Sequence, residues 1–182
     1  MKHHKRYANI TYQISHDSKI LFIGTNPSPG SYNRKVPFSS NKSFWYLLHE
    51  AGLVLESRHE LQNDKALKKI FTEKFTKVYH LGLINLVYRP TKTVSEITQK
   101  EAIPGSLRII TAIKYFHPPV VCFVGKGTYQ LFTQTSHCEY GWQVTIGSSK
   151  VFVMHSPIHG FASIRINELK EIATVSKLDR RA

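Results

Sequence analysis

The apolar positions of this chain fall into two patterns. Four short runs are dominated by apolar residues: 20–23 (Ile-Leu-Phe-Ile), 78–87, 120–124 (Val-Val-Cys-Phe-Val) and 150–154. Runs of this length, rich in branched residues and flanked by Gly, Pro or Asn, predict strands, and their lack of strict alternation predicts strands covered on both faces. Elsewhere apolar residues recur at helical spacing. Phe44, Leu47, Leu48 and Ala51 predict a helix that starts from Asn41 or Ser43 as N-cap and stops at Gly52. Further helices are predicted at 66–75, at 106–116 before Pro118-Pro119, after Gly125, and on Ile166, Leu169, Ile172 and Val175. Residues 143–146 add a strand joined to the next at Gly147-Ser148, and Asn26-Pro27-Ser28-Pro29-Gly30 reads as a loop of turn formers.

Strands alternating with helices in this way predict an α/β fold, a mostly parallel central sheet with helices on both faces. In such sheets functional loops lie at the carboxyl ends of the strands. Asn26, the segment 88–91, Gly125-Lys126 and His155-Ser156-Pro157 all fall at predicted strand ends.

At 182 residues and 41% hydrophobic, a chain buries ~70% of the surface its unfolded form exposes and folds without a disulfide or metal. One domain over 19–182 is expected, behind a basic arm over 1–18. Charge adds the first functional information. Twenty-five Lys and Arg against twelve Asp and Glu give a formal charge of +13, which calls for a polyanionic partner. The basic residues are scattered and form no long basic amphipathic helix, so nucleic acid is favoured over a membrane surface. Two cysteines, Cys122 and Cys138, with no C-x-x-C spacing, supply neither a disulfide framework nor a zinc or iron-sulfur site. No cofactor or metal is expected, and nothing suggests an obligate oligomer. The run Lys2-His3-His4-Lys5-Arg6 carries no apolar segment of a secretory signal, and no apolar stretch is long enough to span a bilayer. An intracellular protein is therefore expected, in the nucleus if the source is eukaryotic and the cytoplasm if bacterial.

Three strand-end loops carry a resemblance. Leu21-Phe22-Ile23-Gly24-Thr25-Asn26-Pro27 is followed by Phe44-Trp45 opening a helix, Asn85-Leu86-Val87-Tyr88-Arg89-Pro90-Thr91 follows the second strand, and Gly125-Lys126-Gly127-Thr128-Tyr129 is coupled with Met154-His155-Ser156-Pro157. In order and spacing, from about residue 19 to about residue 162, these resemble the mismatch-specific uracil/thymine-DNA glycosylase family of the uracil-DNA glycosylase superfamily. The resemblance implies hydrolysis of the bond between uracil or mismatched thymine and its sugar in double-stranded DNA, without a cofactor. Asn26 matches the family's Asn that holds the attacking water with no carboxylate as general base, and no Asp or Glu occurs between Ile20 and His49. Backbone N–H groups around Thr25 and Phe38 match positions that stabilise the departing base, and the Phe38 ring matches one that stacks on a flipped base. Asn85 and Thr91 match base contacts, and His155 a donor to the base oxygen in sister families. Ser156 falls in the loop similar to one that enters the DNA stack, while Lys126 at a helix N-terminus can grip a DNA phosphate with the backbone amides there. Ile158 and Phe161, with His159 between them, are candidates for the wedge that fills the gap left by the base.

Each of these residues also has a plainer reading: a turn for Asn26, a core ring for Phe38, a strand end for Asn85 and His155, a solvated cation for Lys126. A nucleotide P-loop at Lys126 is excluded, because Val120 stands where its first Gly belongs. The family's Asn-Pro-Gly is expanded here to Asn26-Pro27-Ser28-Pro29-Gly30, which leaves two alternatives open. One is a single-strand-selective or hypoxanthine-acting relative using His155, and the other is a non-catalytic DNA-binding module.

Overall fold

A computed structural model describes residues 10–178. The basic run 2–6 lies outside them. Among the described residues five strands form one sheet: β1 (Ile20–Gly24), β2 (Leu81–Asn85), β3 (Val120–Val124), β4 (Gly141–Ile146) and β5 (Ser149–Met154), in the order β2-β1-β3-β5-β4. All pairings are parallel except β4 with β5. Successive residues of each central strand enter different core clusters. Ile20, Phe22, Val120, Cys122, Phe152 and Met154 belong to one cluster, and Leu21, Ile23, Val121, Phe123, Val151 and Val153 to the other. That is why these strands read as unbroken apolar runs: both faces are buried.

The helices are α1 (Pro29–Arg34), α2 (Ser43–Glu50), α3 (Arg58–Gln62), α4 (Asp64–Lys69), α5 (Gln99–Phe116), α6 (Lys126–Thr133) and α7 (Ala162–Val175). Phe44, Trp45 and Leu48 of α2, Leu61 of α3, Leu67 of α4, and Leu169 and Ile172 of α7 pack on one face of the sheet. Ile109 and Ile113 of α5 and Phe132 of α6 pack on the other. The α/β sandwich with a mostly parallel sheet is the observed fold.

Several boundaries differ from expectation. The expected loop after Asn26 contains α1, because Ser28 caps it, accepting from the Ser31 N–H, and Pro29 occupies the first turn, where a missing N–H costs nothing. The single helix expected over 66–75 is α4 running into a π-turn at Ile70–Lys74, preceded by α3 on a Ser57/Glu60 capping box. α5 starts seven residues before the expected Ser106. A Thr98/Glu101 capping box opens it, and Pro104 is accommodated inside. Gly105 then lets the helix touch the sheet: a Cβ there would sit 1.9 Å from the Leu86 carbonyl oxygen. Arg108 completes the junction, its Nη2 donating to the carbonyls of Asn85 (2.8 Å) and Leu86 (3.0 Å).

Residues 10–18, expected within the arm, lie against the sheet. Ile10 is buried, and Gln13 forms an antiparallel bridge with Leu83, exchanging hydrogen bonds of 3.2 and 2.7 Å along the outer edge of β2. An otherwise open strand edge is thereby covered.

Candidate active site

The carboxyl ends of β1, β2, β3 and β5 deliver four loops to one end of the sheet. Two cavities open there. One of 190 Å³ is lined by Asn26, Phe38, Phe44, Asn85, Ser156 and Ile158 among others. A wider cleft of 400 Å³ adjoins it, lined by Thr25, Gly125, Lys126, Thr128 and Tyr140 and sharing Asn26, Phe38, Ser156 and Pro157 with the first. Every residue lining the two is neutral or basic. A further cavity of 220 Å³, walled by Leu53, Leu55 and Val78 with Lys19 and His80, lies away from these loops, at the opposite end of the strands.

Asn26 sits at the junction of the two cavities with its amide oriented by two loop groups. Its Nδ2 donates to the Arg89 carbonyl (3.0 Å) and to the Thr91 hydroxyl (2.8 Å). A carbonyl can only accept, and the Thr91 hydroxyl spends its proton on the Thr93 carbonyl (2.7 Å), so nitrogen must face both. Oδ1 is left as the acceptor for a molecule in the cavity. Arg89 is itself tied down by Glu101, at 2.7 and 3.1 Å, and that contact holds the Glu101 carboxyl at about 2, below its usual range. Thr91 therefore occupies a different place from the base contact expected of it: it is buried, lines neither cavity, and braces Asn26.

Phe38 forms the ring platform. Its φ of 54° is rare for a bulky residue, and its neighbours hold it there. Trp45 Nε1 donates to the Pro37 carbonyl at 2.9 Å, Ser39 N–H donates to the Ser31 hydroxyl at 3.0 Å, and Phe44 stacks on the ring at 4.5 Å. Asn85 ends β2 with its side chain buried over Gly24, where a Cβ would fall 2.4 Å from Asn85 Oδ1 and 3.1 Å from the Phe38 ring. Gly24 thus creates the space that the side chain of Asn85 fills. Asn85 Oδ1 has no hydrogen-bond partner among the described residues. Behind it lies Tyr12, stacked on Tyr88 at 5.0 Å, its phenol pushed well above the usual range mainly by burial.

The Thr25 hydroxyl donates at 2.6 Å to Thr128, whose own proton goes to the Val124 carbonyl, joining the first loop to α6. Lys126 opens α6 after Gly125, whose φ of 91° suits glycine. The helix N-terminus faces the wider cleft, favourable for an anion. The Lys126 ammonium is paired with exposed Glu139 (3.2 Å) and lies over the Tyr140 ring (4.4 Å). His155 lines neither cavity. Its ring stacks under Tyr140 at 3.5 Å, and its Nδ1 meets Glu168 Oε1 at 2.6 Å. Ile158 reaches the smaller cavity, while His159 and Phe161 are exposed and line neither cavity.

Gly24 and Thr128 stand inside the sequence motifs with no role assigned to either, and Tyr12, Arg165 and Glu168 stand outside those motifs. Only Gly24 left a local signal, as a glycine at a strand end. The others act through partners distant in the chain.

Asn26, Phe38 and Asn85 meet in one cavity that no carboxylate lines among the described residues, at the loop cluster where an α/β sheet binds its ligands. The family model of the uracil DNA glycosylase superfamily matches residues 11–163, spanning every one of these loops, and the chain belongs to that superfamily.

Proposed function

We propose that this chain is a monofunctional glycosylase that hydrolyses uracil from double-stranded DNA, with mismatched thymine as a second substrate and Asn26 positioning the attacking water. The superfamily makes it a hydrolytic DNA glycosylase; the substrate and the residue roles are the proposal. The observation that carries it is the pinned Asn26 amide, whose nitrogen is consumed by Arg89 and Thr91 in a cavity without carboxylates. Departure of the base gives the sugar oxocarbenium character, so a water held by a neutral amide oxygen attacks an already electrophilic carbon and needs no strong base. Phe38 stacks on the flipped ring, and Asn85, with an unsatisfied Oδ1, meets its polar edge. The Ser28-Pro29 expansion is absorbed into the cap and first turn of α1, leaving Asn26 on the cavity, which favours an enzyme over a DNA-binding module. Single-turnover incubation with G·U, A·U and G·T duplexes and single-stranded uracil, followed by alkaline cleavage of abasic sites, tests the reading. Release of uracil from G·U duplex is expected; binding without release would sink it.

A further inference from the structure

Helix α7 carries two buried charged residues one turn apart that line neither of the two active-site cavities: Arg165, 4% exposed, and Glu168, 9% exposed. A buried charge without an opposite charge beside it is costly, so its hydrogen bonds reveal what it is kept for. Both residues spend theirs on one segment. Glu168 takes the backbone N–H of His155 at 3.0 Å and its ring nitrogen at 2.6 Å. Arg165 donates from Nη1 to the Ser156 carbonyl at 3.2 Å and from Nη2 to the Gly160 carbonyl at 2.6 Å. The guanidinium fork closes the base of the turn 156–160. Gly160 takes φ 79°, a left-handed conformation that suits glycine, and a Cβ there would rest in ordinary contact with Nη1 at 3.6 Å. Ile158 projects from within this stapled turn and Phe161 follows directly after it, 54% and 79% exposed.

We infer that Arg165 is the positioning residue for an apolar wedge formed by Ile158 and Phe161, with Glu168 fixing the root of the same loop. The inference rests on the glycosylase reading. Exposed apolar side chains on an untethered loop must be ordered when they enter a base stack, at a cost in conformational entropy. The fork makes that order a property of α7 before DNA arrives. Because the gap exists only where a base has left a stacked duplex, Arg165 matters for paired uracil and little for uracil that is already unstacked.

The test measures single-turnover release of uracil from a G·U duplex and from the same strand with the uracil in an unpaired bubble, with 2-aminopurine beside the uracil reporting local opening. Wild type is compared with Arg165→Met, Arg165→Lys, Phe161→Ala and the double variant Phe161→Ala/Arg165→Met. Loss of a buried charge-assisted bond predicts a duplex-to-bubble rate ratio about tenfold or more below wild type in Arg165→Met. Arg165→Lys should fall between, since an ammonium cannot bridge both carbonyls. The double variant should lose less than the two single losses combined, because Arg165 acts in part through Phe161, the remainder falling on Ile158. An unchanged ratio, or fully additive losses, overturns the inference while the glycosylase reading stands. If Arg165→Met fails to fold by circular dichroism, Arg165→Lys carries the comparison. Wild type inactive on both substrates overturns the glycosylase reading and this inference with it, and wild type active on the bubble alone overturns this inference. If it acts on the duplex alone, the 2-aminopurine opening rate replaces the ratio, with the same two outcomes.

Discussion

On one side of the smaller cavity, Asn26, Asn85 and Phe38 are held in place by interior contacts: an amide gripped by two loop groups, a buried side chain over a glycine, a ring stacked on Phe44. On the other side, Ile158 and Phe161 project into solvent, and the turn beneath them is held by hydrogen bonds to its backbone carbonyls. The difference follows from what each wall meets. Holding a water against a reacting carbon requires polar atoms fixed to a fraction of an ångström, which burial and hydrogen bonding achieve. Filling a gap in a base stack requires apolar surface that stays exposed until DNA covers it. Fixing that surface through the backbone leaves its side chains free to bury themselves in the partner.

The largest effect should come from the fixed wall. Asn26→Ala is expected to lower single-turnover excision ~10²-fold or more while leaving duplex affinity, followed by fluorescence anisotropy, nearly unchanged. A rate close to wild type would remove Asn26 from the chemistry.

Asn85→Ala should slow release from G·U and G·T duplexes by roughly ten- to a hundredfold, since a buried polar edge left unpaired costs ~1 to 3 kcal/mol. Thymine, the poorer leaving group, should suffer more than uracil. Equal rates for both proteins on both duplexes would make Asn85 a structural strand end.

Thr91→Val keeps the shape of the brace and removes its acceptor. One ordinary hydrogen bond is worth ~0.5–1.5 kcal/mol, so the excision rate should drop by roughly three- to tenfold with affinity intact. A change in affinity with no change in rate would move Thr91 from the fixed wall to the DNA surface.

At the cationic rim, Lys126→Ala should weaken binding to all duplex sequences alike and reduce the slope of log affinity against log salt by ~0.9, one phosphate contact. An identical slope would leave Lys126 to Glu139 and the Tyr140 ring.

The smallest effect is set by acid. Glu101 is depressed in the folded chain to about 2 from an ordinary 4.5, first by its hydrogen bond with Arg89. Its contribution is complete above the ordinary carboxyl range and fades as pH falls through about 4.5 toward about 2. Because the Arg89 carbonyl anchors Asn26, acid should loosen the fixed wall. Melting temperature followed down that range should decline less steeply in Glu101→Gln than in wild type, and parallel curves would dismiss the link.

Local sequence determined the parts of this protein that depend on neighbours in the chain. Continuous apolar runs at 20–23 and 120–124 implied strands buried on two faces, and the strand-turn order placed Asn26, Asn85, Lys126 and Ser156 at one end of the sheet. Other local signals were present but unused: Ser57 and Glu60 spell the cap of α3, and Thr98 and Glu101 that of α5, seven residues ahead of the expected start at Ser106. Only the tertiary structure decided that Gly105 lets α5 touch the backbone at Leu86. It likewise turned Thr91 into a brace, drew His155 away under Tyr140, and aimed Arg165 at the turn 156–160. Composition and periodicity report whether a side chain is buried. Which partner a buried polar group meets, 65 residues away for Asn26 and Thr91, is fixed only when the sheet brings those loops together.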